Sequence, residues 1–201
     1  MFELNPDVLG AQSCYRTLLS AISRPGTINR IRFERLYKER ACKVPWGLLA
    51  ACECLLDEQV TLGGLKENGE RWATEISSLI KVPFRDPAQA DFVLADRIPT
   101  AHEMATMPHG SLLTPEKGAT LFLYVGDGIR GEAGSLEFQG PGVEGILKLG
   151  VSRTVLDWAF ARQGLCFEYP MGIDTFLFDG EGEVLGVPRT CSLKVHNCRR
   201  D

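Results

Sequence analysis

A chain of 201 residues with 44% hydrophobic and 24% charged residues is an ordinary globular composition, enough for one core, and residues 1–201 are read as a single domain. The formal net charge of −4 gives no general attraction to nucleic acid, and no apolar run approaches the roughly 18 residues of a membrane span. The start, Met1-Phe2-Glu3-Leu4-Asn5, lacks the basic-then-apolar pattern of a secretory signal, so the expected location is cytoplasmic, with neither nucleic acid nor membrane as a partner.

In chain order, residues 8–22 carry Val8, Leu9, Tyr15, Leu18, Leu19 and Ile22 at helical spacing. Asn5-Pro6-Asp7 offers capping chemistry before this helix, and Arg24-Pro25-Gly26 stops it. Residues 27–33 read as a strand. Residues 45–56 read as a second helix, with Pro45 in the first turn, where its missing N–H is harmless. A short strand, Val60-Thr61-Leu62, ends in Gly63-Gly64. A third helix is expected over 71–77, a strand over 92–95 and a helix over 99–106.

From Gly118 the pattern turns β-rich. Residues 120–125 form an apolar run typical of an interior strand, and 135–138 and 145–149 read as further strands. Residues 152–163 form a last helix with Val155, Leu156 and Ala159 on one side, Ser152 as N-cap and Gly164 as stop. The chain closes with a hairpin: Thr175-Phe176-Leu177-Phe178, an Asp179-Gly180-Glu181-Gly182 turn, and a return ending in Val187-Pro188-Arg189-Thr190. Interleaved helices and strands predict an α/β fold, layered α/β/α around a mixed β-sheet.

Most chemical motifs fail on context. Seven cysteines are irregularly spaced. Cys52 and Cys54 sit in a helical run, where a C-x-C pair points its thiols roughly 200° apart. Reduced, mostly buried thiols are expected. Two segments match G-x-G-x-x-G, at 126–131 and 140–145, but each precedes a strand-like run rather than a helix, so neither reads as a dinucleotide site. The first is read as a hairpin loop. His102, His109 and His196 are too scattered for a zinc site. Lys148, in a strand, and Lys117, in a turn, lack a phosphate cup for pyridoxal phosphate. No cofactor and no metal are expected.

Arginine outnumbers lysine 15 to 7, and guanidinium suits carboxylate and phosphate through paired hydrogen bonds. Arg16 on the first helix and Arg189 at the hairpin exit are candidates either for anion binding or for a structural ion pair, with Asp57 or Asp174 as partners. The hairpin's lead-in, Tyr169-Pro170-Met171-Gly172-Ile173-Asp174, has a proline that fixes φ and a glycine that permits an unusual backbone angle just before Asp174. Asp174 has no second placed carboxylate, so it reads as a cap or salt-bridge partner rather than half of a catalytic dyad.

Taken together, several segments resemble one family. They are Gln12-Ser13-Cys14-Tyr15-Arg16-Thr17-Leu18-Leu19-Ser20-Ala21-Ile22-Ser23-Arg24-Pro25-Gly26, Leu55-Leu56-Asp57, Gly118-Ala119-Thr120-Leu121, Gly140-Pro141-Gly142, Tyr169-Pro170-Met171-Gly172-Ile173-Asp174 and Pro188-Arg189-Thr190. In this order they resemble PhnH, the H subunit of the bacterial carbon–phosphorus lyase system, from about Gln12 to Val195. Tyr169, Pro170, Gly172, Asp174, Pro188, Arg189 and Thr190 carry the signature. Cys191 departs from it, standing where the family tends to have a second threonine.

The resemblance implies the fold of pyridoxal-phosphate-dependent transferases without their cofactor site. It implies a place in an assembly of G, H, I and J subunits, docking above all on J, with homodimer formation in isolation. It also implies an accessory role at the α-D-ribose 1-methylphosphonate 5-triphosphate synthase stage, where ATP and an alkylphosphonate react with release of adenine. No catalytic residue is carried over. The other reading is a small-molecule or nucleotide-phosphonate binder with its anion site at Arg16 and Arg189.

Overall fold

The computed structural model describes residues 6–32, 42–126, 128–165 and 168–197. Asn5 and Phe33, assigned above to a helix cap and a strand, lie outside the described residues. Helix α1 is Pro6–Ser23 and strand β1 Ile28–Arg30. Helix α2 is Trp46–Leu55, β2 Leu62–Gly64, α3 Asn68–Ile80, β3 Phe92–Ala95 and α4 Ala101–Thr106. Then come β4 Thr120–Gly126, β5 Arg130–Gln139, β6 Leu147–Val151, α5 Arg153–Gln163, β7 Asp174–Asp179, β8 Glu183–Val187 and β9 Ser192–Asn197.

Six strands form a mixed sheet in the order β1-β8-β7-β4-β3-β2. β2, β3, β4 and β7 run parallel, while β8 is antiparallel to β7 and β1 antiparallel to β8. The parallel strands are apolar on both faces, as strands between two layers must be. Side chains alternate between two cores. Phe122, Phe176 and Phe178 face one side with Leu18 of α1, Leu48 and Leu49 of α2, and Trp72 and Ile76 of α3. Phe122 meets the rings of Phe92, Phe176 and Phe178 edge-on at 5.4–5.7 Å. Leu121, Leu123, Val125 and Leu177 face the other side.

That second face corrects the expectation of helices on both sides. A separate antiparallel sheet, in the order β6-β5-β9, covers it together with α5. Leu136 and Phe138 of β5 and Leu156 and Trp158 of α5 are fully buried in this core. The glycine-rich loop at 126–131 is therefore not a hairpin loop. β4 is paired on both sides, by β3 and β7, so its chain cannot fold back beside it and crosses to the other sheet.

Local boundaries shift for identifiable reasons. β2 begins at Leu62, later than read, because the Asp91 carboxylate accepts the Thr61 N–H at 2.8 Å and the Thr61 hydroxyl at 2.6 Å. It then uses Gly63 and Gly64, because a side chain on Gly64 would strike the backbone of Gly69 and Glu70. α3 extends to Asn68–Ile80 rather than 71–77. Asn68-Gly69 looks like a turn, yet Gly69 sits in the first helical turn, where a Cβ would lie 2.5 Å from the Leu94 carbonyl oxygen. α4 starts at Ala101, with Thr100 and Glu103 forming a reciprocal capping box. Ser152 holds the N-cap position of α5 but makes no side-chain cap bond.

Candidate functional site

β7 and β8 place the signature residues. Thr175 pairs with Val187, so Asp174 and Pro188 face each other where the two strands part. Pro188 has no N–H to continue the ladder. The chain turns, with the Cys191 N–H returning to the Pro188 carbonyl at 3.0 Å. This turn aims Arg189 back at Asp174. The Asp174 carboxylate accepts the Arg189 backbone N–H at 2.6 Å, Nη2 at 2.5 Å and Nε at 3.1 Å. Arg189 Nη1 donates to the Pro115 carbonyl, in the loop before β4. Both side chains are largely covered, at 13% and 21% exposure.

Glycines make room for this pair. A Cβ on Gly118 would strike both Arg189 Nη1 and the Gly172 carbonyl. Gly172 itself has φ of 142° and donates its N–H to the His109 carbonyl at 3.0 Å. The loop before β4 and the lead-in to β7 are thus tied together. Tyr169, preceding the cis-peptide-linked Pro170, is strongly exposed.

A second arginine, not singled out from sequence, completes the arrangement. Arg162 projects from the last turn of α5 and donates to the carbonyls of Ile173, at 3.0 Å, and Pro188, at 2.9 Å. Its guanidinium lies 5.9 Å from the Trp158 ring centroid. Burial pulls its pKa down, against the opposing influence of Cys191 and Asp174. Burial likewise pushes the Cys191 thiol up, while Arg162 pulls it back. One sequence signal was there to be read: Arg162 lies four residues after Trp158 and three after Ala159, in line with the apolar stripe of its helix.

These elements enclose a cleft of about 660 Å³. Leu121 of β4 and Thr175 of β7, neighbours in the sheet, both line it. Trp158, Arg162 and Gln163 contribute from α5, and Thr190 to Leu193 from the segment after the hairpin. Arg189, Tyr169 and Gly172 also border it, so much of the predicted signature converges here.

Arg16 and Arg189 do not converge. Arg16 is exposed on α1 and lines a different groove, with Arg30 and Arg32. Asp57 is exposed, and its Oδ1 accepts the Gln59 N–H at 2.8 Å. Of the two arginines and two aspartates weighed above, the structure joins only Arg189 to Asp174.

The fold and site define an α/β protein whose closing hairpin locks an aspartate at one strand end to an arginine at the next. The chain belongs to the PhnH family: residues 3–194 match the family described as "Bacterial phosphonate metabolism protein (PhnH)". It is similar to "Putative C-P lyase subunit protein HtxG" of Stutzerimonas stutzeri, with 29% identity over 186 residues, covering 92% of this chain and 86% of that protein.

Proposed function

We propose that this protein is an accessory subunit of a carbon–phosphorus lyase assembly in the cytoplasm, acting in phosphonate catabolism by docking on partner subunits. In this reading the partners are the G, I and above all J subunits, self-pairing occurs in isolation, and 1–201 acts as one unit. Its stage is the one that joins an alkylphosphonate to the ribose of ATP with loss of adenine. Its fold, in this reading, resembles that of pyridoxal-phosphate-dependent transferases without their cofactor site. The similarity to a protein named as a C–P lyase subunit supports the assembly role.

One observation carries the docking element. Leu112 and Leu113 are 56% and 92% exposed at the tip of a turn that is firmly closed. Ser111 and Thr114 exchange backbone hydrogen bonds at 3.2 Å in both directions, and their hydroxyls meet at 2.8 Å. The same loop is tied down by the Arg189–Pro115 bond and by the Gly172–His109 bond. A braced turn holding two leucines in water has the form of a contact made with another protein.

Co-expression with the G, I and J subunits, followed by size-exclusion chromatography, tests this. The native chain is expected to co-elute with them. A Leu112→Ser, Leu113→Asp double variant is expected to elute alone with its melting temperature unchanged. The isolated chain is expected to release no adenine from ATP and methylphosphonate. Failure of the native chain to co-elute, or adenine release by the isolated chain, would overturn the reading.

A further inference from the structure

We propose that the cleft beside the Asp174–Arg189 pair binds a small organic anion with an apolar body, its charged end met by Arg162 and the Thr175 hydroxyl. This goes beyond the subunit role and does not depend on it.

Thr175 is only 2% exposed and lines the cleft, where a ligand oxygen can bond its hydroxyl. The charges point the same way. Arg162 and Arg189 face a single carboxylate, Asp174, which leaves one positive charge in excess. Arg189 is already spent on Asp174 and Pro115. Arg162 is held only by two neutral carbonyls, which orient the guanidinium and leave its charge uncancelled. An uncompensated, half-buried guanidinium favours an anion, and one excess charge favours a singly charged head.

Leu165, Met171 and Leu193 give the same cleft apolar surface, and its volume of about 660 Å³ lies in the range of small-molecule sites. The groove containing Arg16, Arg30 and Arg32 also gathers positive charge, but those side chains are exposed, and water already solvates them.

Benzoate, hexanoate and phenylphosphonate are suitable probes, with benzyl alcohol as the neutral control. Titration of the isotopically labelled chain, followed by NMR, is expected to give saturable shifts clustered at 158–165, 171–175 and 189–193. Benzyl alcohol is expected to bind at least roughly tenfold more weakly. Thr175→Val removes the hydroxyl and keeps the shape. It is expected to melt at or above the native temperature while weakening benzoate roughly fivefold to tenfold. A purely structural Thr175 would not give that combination. Arg162→Gln is expected to weaken the anions further. If that variant does not fold, the Thr175→Val result decides. No saturation by any anion up to roughly 10 mM, shifts lying outside the cleft, or undiminished affinity in Thr175→Val would overturn the proposal.

Discussion

Arg189 and Asp174 hold each other, but each also holds main chain. The carboxylate accepts the Arg189 backbone N–H, and the guanidinium reaches the Pro115 carbonyl across the loop before β4. Removing the carboxylate therefore leaves a largely covered guanidinium without its counter-charge and a backbone N–H without its acceptor. Asp174→Ala is expected to lower unfolding free energy by about 2–4 kcal/mol, read as a fall in the denaturation midpoint. A loss below about 1 kcal/mol would assign the pair the small weight of an exposed surface bridge. Asp174 and Arg189 were legible in sequence as possible partners because Gly172 precedes the one and Pro188 stiffens the other. Arg162 and Thr175 were not. Their meaning arises from the cleft, which exists only once a helix, a sheet and the segment after the hairpin are brought together.

At the scale of elements, the closing hairpin was the most legible part, because its turn chemistry is local. Asp179 Oδ1 accepts the N–H groups of Glu181 and Glu183 at 2.9 and 2.8 Å, which is what an aspartate opening such a turn does. Gly182 follows with φ of 79°, and a Cβ there would strike the Trp46 ring. The Trp46 indole N–H also donates to the Gly180 carbonyl at 3.2 Å, so the turn is seated on the first residue of α2. Gly182→Ala is expected to cost about 2–4 kcal/mol from left-handed backbone strain together with displacement of the indole. Thermal unfolding checks it, and a change of under about 1 kcal/mol would mean that the tryptophan yields freely. β5 was the least legible long element. Its first half, Arg130-Gly131-Glu132-Ala133-Gly134, has poor strand propensity and contains a register shift between Arg130 and Gly134. Only pairing with β6 and β9 makes it a strand, and that pairing is remote in sequence.

Across the whole molecule, one six-stranded sheet separates two cores while belonging to both. Adjacent residues of β4 serve opposite sides: Phe122 packs with the helices, and Leu121 and Leu123 pack toward the second sheet. Neither core can come apart without exposing the sheet face it shares. The tryptophans report on both, with Trp158 in one core and Trp46 and Trp72 in the other. Unfolding is expected as one transition, coincident in circular dichroism and in fluorescence. Phe122→Ala, by about 3–5 kcal/mol, and Leu123→Ala, by about 2–5 kcal/mol, should shift that same transition. Two separated transitions would show the cores to be independent. The α/β class and the mixed character of the sheet could be read from alternation alone. The existence of a second sheet could not, because a strand's sequence does not record which neighbour it will join.

The outer strands of the large sheet, β1 and β2, have only three residues each. Beyond β2, Leu62 donates to the Pro83 carbonyl and accepts the Arg85 N–H, both at 2.9 Å, so a passing segment already occupies part of that margin. β1 ends in Arg30, with Arg32 close behind, and two guanidiniums repel a like chain brought alongside. Among the described residues, an invading strand would find few backbone groups to bond on either margin. The margins of the large sheet thus offer another chain little to template on.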